Sequence, residues 1–130
     1  MTDDEFLQAF EGCTLPKPAW THQAHVRMAW LYLRQGSFEQ VLPLVRKRIR
    51  RYNATFQQEP AYHETITRVF LHLIDYRVRE RPAQTFSEFS EQHLDLFQGV
   101  IILLKHYRKE TLFSQQAREQ FVSPDLEPLP

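Results

Sequence analysis

At 130 residues and zero formal net charge, the chain is long enough to bury one core and lacks the basic excess that a nucleic-acid binder usually carries. Its single cysteine, Cys13, excludes an internal disulfide framework and a cysteine-based zinc cage. No run of ~18 apolar residues suits a membrane span, and the acidic start Thr2-Asp3-Asp4-Glu5 is unlike a signal peptide, so the expectation is a cytoplasmic protein without a membrane partner.

Helix signals recur along the chain, while three glycines and the absence of alternating β-branched runs leave little room for strands. Thr2 and Glu5 have the spacing of a capping box, which predicts a short helix through Phe6, Leu7 and Phe10 that stops at Gly12. Residues 15–19, with two prolines, read as an extended connector. Thr21 is placed to cap a helix to about Gln35, with Gly36 as its stop. Ser37 and Gln40 form a second capping box for a helix toward Tyr52, in which Pro43 predicts a kink or a late start. Pro60 suits the first turn of a long helix reaching about Glu80, and Arg81-Pro82 ends it. Thr85 and Glu88 predict a helix to about Phe97, followed by a buried apolar helical run over residues 100–104. Ser114 caps a last short helix through Phe121, and residues 123–130, with three prolines, are expected to pack as an extended tail or fray. The fold expected is all-α: one domain over residues 1–130, a single helical bundle of four main helices plus short accessory helices. Residues 1–20 form an accessory helix and connector.

Four of the six histidines fall on faces that should point inward. Counting ~100° per residue, His22, His25, Val26, Ala29 and Leu33 share a stripe on the first main helix. His63, Ile66, Thr67, Phe70 and Ile74 share one on the third, and Phe86, Phe89, His93, Leu96 and Phe97 on the fourth. His72 points away. Short connectors imply up-down-up-down topology, which sets the first and third helices parallel and brings His22, His25 and His63 to one end. The fourth helix would arrive there about one turn beyond His93, ~6 Å at 1.5 Å per residue.

A buried imidazole needs a partner for each ring nitrogen, and converging imidazoles can share a metal ion or a bound molecule. Helix N-termini disfavour imidazolium, leaving the neutral form that ligates metal or accepts a proton, and they attract anionic groups. These features predict a His-rich pocket of a small-molecule enzyme or ligand-binding protein, with an anionic group as one candidate ligand feature. His22, His25, His63 and His93 are candidate metal ligands, and zinc, iron, nickel and copper all suit nitrogen-rich ligation. His63 and Glu64 are candidate acid–base groups, and Thr67 and Arg118 candidate substrate-binding groups. The rival reading is a non-catalytic binding or interaction module whose histidines only hydrogen-bond within the fold. Among weaker signals, the basic run Arg46-Lys47-Arg48-Arg50-Arg51 reads as a solvated face, with an acidic or phosphate-bearing partner as the alternative. Cys13 has no evident base beside it.

The segments Trp20-Thr21-His22-Gln23-Ala24-His25 and Tyr62-His63-Glu64-Thr65-Ile66-Thr67, with the ending Ala117-Arg118-Glu119-Gln120-Phe121-Val122-Ser123-Pro124-Asp125, resemble a family of small uncharacterised bacterial proteins. The resemblance covers most of the chain from about Leu15. It supports the choice of His22, His25, His63, Glu64 and Thr67 and implies no particular reaction.

Overall fold

In a computed structural model that describes residues 1–130, helices α1 (Asp3–Glu11), α2 (His22–Leu33), α3 (Phe38–Thr55) and α4 (Glu64–Glu80) are followed by the shorter α5 (Phe86–Gln92), α6 (Lys109–Leu112) and α7 (Gln115–Glu119). There is no strand, and no helix is long and apolar enough to cross a membrane. The polar starts behave as their spacing predicts. Thr2 and Glu5, and Ser37 and Gln40, close reciprocal capping boxes, and the hydroxyls of Thr21, Thr85 and Ser114 accept the free amides of Ala24, Glu88 and Ala117. Such a cap typically contributes ~1 kcal/mol. Helix α3 continues through Pro43, beginning at Phe38.

Two boundaries differ from the sequence expectation. Pro60 lies in a separate 3-10 turn, Glu59–Ala61, and α4 starts only at Glu64, capped by the His63 ring. Helix α5 ends at Gln92; His93 terminates it, and the chain goes on in 3-10 turns over Leu94–Phe97 and Gly99–Lys105. The bundle therefore rests on three long helices with α5 as a short fourth. Helices α2 and α4 run parallel: His22 packs on Phe70 near their starts, and Trp30 and Arg34 lie beside Val78 and Arg79 near their ends. Helix α3 runs antiparallel to both, with Phe38 against His72 and Arg46 against Glu64.

The core is built on rings: Phe10, Trp30, Tyr52, Phe89 and Tyr107 are fully buried, joined by Leu15, Leu71, Ile74, Leu96, Leu103 and Leu112. Each contributes roughly 1.5–3 kcal/mol by burial. Both buried tyrosines place their hydroxyls on backbone acceptors, Tyr52 on the Leu15 carbonyl at 2.8 Å and Tyr107 on that of Val122, which ties irregular segments to the core. The tail packs and does not fray. The amide of Leu126 donates to the His106 carbonyl, the His106 ring donates through Nδ1 to the Glu127 carbonyl, and Asp125 accepts the Arg108 amide and the Thr111 hydroxyl. Thr65 clamps the last segment to α4, donating to the Gln120 carbonyl and accepting the Val122 amide.

Candidate functional site

The parallel N-terminal halves of α2 and α4, with α3 crossing behind them, leave a cavity of about 310 Å³. Helix α2 contributes His22, His25, Val26 and Ala29 to its wall, α3 contributes Val45 and Ile49, and α4 contributes Ile66, Thr67, Phe70 and Ile74. Val100, from the 3-10 segment, closes one side. A second chamber of about 370 Å³ adjoins it and shares His25, Ile49, Ile66 and Thr67. Its other walls include Trp20, Tyr52, Asn53, Tyr62 and His63, with Lys17 at its edge. A dividing rim formed by His25 and Thr67 thus belongs to both chambers. Cavities of this size suit small organic molecules.

His25 is fixed on two sides. Its ring stacks on the Trp20 indole with centroids 3.8 Å apart, and its Nδ1 is 2.7 Å from the Thr21 carbonyl one turn back. A carbonyl only accepts, so Nδ1 carries the proton and Nε2 is a bare lone pair. No group of the protein takes that nitrogen, which keeps some exposure to solvent. Burial pushes the His25 pKa down to about 4; the nearby His22 ring adds to this, and the Thr21 hydrogen bond opposes it. His22 is held in the opposite sense, Nε2 donating to the Leu96 carbonyl at 2.8 Å. Thr67 lies one helical step from Ile66 on the inner face of α4, and its side chain adjoins the Tyr62 phenol.

The other predicted site residues have different employment. His63 Nε2 donates to the Leu112 carbonyl at 2.7 Å, and its Nδ1 accepts the Ile66 amide at 3.1 Å. With both ring nitrogens occupied by backbone, His63 caps α4 in place of the expected ligand or acid–base role. Glu64 is equally committed. Arg46 grips its carboxylate through two hydrogen bonds, 2.8 and 2.6 Å, and the Tyr62 hydroxyl donates a third at 2.7 Å. Burial alone would raise the Glu64 pKa, but the Arg46 and Tyr62 hydrogen bonds outweigh it and hold the group ionised. A carboxylate so saturated is a poor proton acceptor. Arg118 donates through one guanidinium nitrogen to the carbonyls of Pro60 and Tyr62, which steadies the turn before α4.

His93 does not line the cavity. Its Nδ1 accepts from Arg77, which lies fourteen positions along α4 from His63, ~21 Å at 1.5 Å per residue. The expected fourth histidine is lost because α5 stops early and packs against the far half of α4. No three His, Cys, Asp or Glu side chains form a group that could hold a metal ion. The residues present therefore do not fit the four-histidine zinc, iron, nickel or copper centre, for which three convergent protein ligands are the usual minimum.

In the basic run on α3, Lys47, Arg50 and Arg51 are exposed, as a solvated face requires, while Arg46 and Arg48 are half-buried. Arg48 donates to Glu11 and to the Tyr32 hydroxyl, Arg51 to the Glu11 carbonyl, Arg50 lies over the Tyr62 ring and Arg46 holds Glu64. The acidic partners of Arg46 and Arg48 are internal, on α4 and α1. Sequence reasoning missed Trp20, Ile49 and Asn53 as chamber walls. Trp20 carried the one usable signal, an aromatic immediately before a capping Thr and five residues before His25.

Acid should weaken the fold in a defined window. The pKa values of His25, His63 and His93 are all lowered by burial, so the unfolded chain binds more protons than the folded one. Above the ordinary histidine value of 6.5 these rings are neutral in both states; as pH falls below 6.5 stability is lost, and for His25 the loss continues to about 4. Urea midpoints measured between about pH 7 and about pH 5 should fall, with a shallower fall in His25→Phe. An identical slope in that variant would contradict the burial of a neutral His25.

Comparison with protein-family models, with curated proteins and with solved structures gives no match.

Proposed function

We propose that this protein binds a small, largely apolar molecule in the cavity between α2, α3 and α4. The observation that carries the reading is the coincidence of a preformed apolar chamber with an imidazole whose Nε2 has no partner in the protein. Structural histidines account for His63, His22 and His93 in part, but give no use for the free nitrogen of His25. Binding suits this ring better than proton abstraction does, because a group with a pKa of about 4 is a weak base at neutral pH. It accepts a hydrogen bond over the whole physiological range. Burying the ~150 Å² of a small aromatic molecule is worth ~4 kcal/mol before association costs, so simple apolar probes should bind no more tightly than roughly the millimolar range.

The test is a methyl NMR titration with 4-methylanisole, a neutral aromatic probe. The methyl groups of Val26, Ile66 and Val100 should shift saturably while those of Leu42 and Leu112, away from the chamber, stay still. Ala29→Leu, which puts a larger side chain into the chamber, should abolish the shifts and leave the fold intact. Absent or unspecific shifts in the wild type, or shifts unchanged in Ala29→Leu, would contradict the proposal.

A further inference from the structure

The tautomers of the two cavity histidines restrict what that molecule can be, an argument that rests on the binding reading just given. Each ring has one nitrogen on a backbone carbonyl: Nδ1 of His25 on Thr21 at 2.7 Å, and Nε2 of His22 on Leu96 at 2.8 Å. Those nitrogens must carry the protons. In the neutral rings, the remaining nitrogens, Nε2 of His25 and Nδ1 of His22, are lone pairs without a partner in the protein. The two residues are three apart on α2, on neighbouring positions of one helix face, and both line the cavity.

Nothing else around the main chamber reverses this polarity. Its walls contain no Lys, Arg, Asn, Gln, Asp or Glu, and the Thr67 hydroxyl is the single side-chain donor not already committed to backbone. A carboxylate or phosphate placed there would be stripped of water and set against lone pairs. An ammonium would be stripped of water with no countercharge. An ether or hydrocarbon would bury the His25 lone pair unpaired, which is unfavourable. A hydroxyl or N–H group satisfies the lone pairs of the main chamber; the one buried donor nearby without a partner, the Trp20 indole N–H, belongs to the wall of the second chamber.

We infer that the cavity selects an uncharged, mainly apolar molecule that presents a hydroxyl or N–H donor to Nε2 of His25, with phenols and alcohols as the matching class. This replaces the anionic ligand expected from helix N-termini. At each helix start one amide is already taken, that of Ile66 on α4 by the His63 ring and that of Ala24 on α2 by the Thr21 hydroxyl.

Three probes of matched size separate the alternatives by calorimetric titration at neutral pH: p-cresol, 4-methylanisole and 4-methylbenzoate. p-Cresol should bind about tenfold or more tightly than the other two, the difference between a made and an unmade buried hydrogen bond. In His25→Phe, 4-methylanisole should still bind and the advantage of p-cresol should vanish. Equal binding of p-cresol and 4-methylanisole to the wild type would overturn the donor requirement and leave the cavity reading standing. Tightest binding of 4-methylbenzoate would overturn it in favour of an anion site. Failure of all three to bind would remove the cavity reading and this inference together. The wild-type comparison decides the matter even if His25→Phe does not fold.

Discussion

Glu64→Ala should destabilise the fold by about 3 kcal/mol, the largest loss expected from any polar substitution. The carboxylate is buried and accepts three short hydrogen bonds, two from Arg46 and one from the Tyr62 hydroxyl. Removing it leaves a guanidinium two-thirds buried and a buried phenol with no acceptor. Breaking a buried ion pair by removing one partner typically costs ~3–5 kcal/mol, and the partial exposure of Arg46 sets the value at the lower end. Urea unfolding should report the loss as a lower midpoint at unchanged slope. Arg46→Ala should come close to it, and the double variant should cost less than the sum, with a coupling of ~1 kcal/mol or more. Tyr62→Phe, which removes a single hydrogen bond, should cost only ~1 kcal/mol. A Glu64→Ala loss under ~1 kcal/mol would mean that the pair is solvated and the carboxylate available for other work.

His63→Ala should cost about 2 kcal/mol, made of a lost helix cap, ~1 kcal/mol, and a buried Leu112 carbonyl left without a donor, ~1 kcal/mol or somewhat more. The two terms are separable. Asn is a strong N-cap but too short to reach Leu112, so His63→Asn should recover the first term and not the second. Both variants should keep the preference for p-cresol over 4-methylanisole, because His63 spends both nitrogens on backbone. A His63→Ala protein of wild-type stability that no longer distinguishes the probes would reverse the assignment and make His63 the ligand-facing group.

Local three-residue signals were the most legible part of the fold. Thr2 with Glu5 and Ser37 with Gln40 close the boxes that their spacing implies, because capping is decided within one turn of chain. The parallel arrangement of α2 and α4 followed from short connectors; of the four histidines and Glu64 expected to meet there, His22 and His25 line the main chamber and His63 the second. His63 was harder to read. Histidine is outside the usual set of N-caps, and Pro60 offered a more familiar helix start a few residues earlier. The end of α5 had no local mark at all. Neither Gly nor Pro stands at Gln92 or His93, and the Leu96 carbonyl that the early ending frees is taken by His22, 74 residues away in the chain. The arginines of α3 illustrate the same limit: periodicity placed them off the core stripe, but only the packing of α1 and α4 supplied Glu11 and Glu64 as partners.

The offer of a lone pair by His25 to a ligand donor is read from the nitrogen NMR signals of its ring at neutral pH. The free protein should show the Nδ1–H tautomer, with Nε2 resonating as an unprotonated nitrogen. Saturating p-cresol should move Nε2 in the direction of an accepted hydrogen bond, and equimolar 4-methylanisole should leave it in place. A protonated Nε2 in the free protein, or an Nε2 signal indifferent to bound p-cresol, would contradict it.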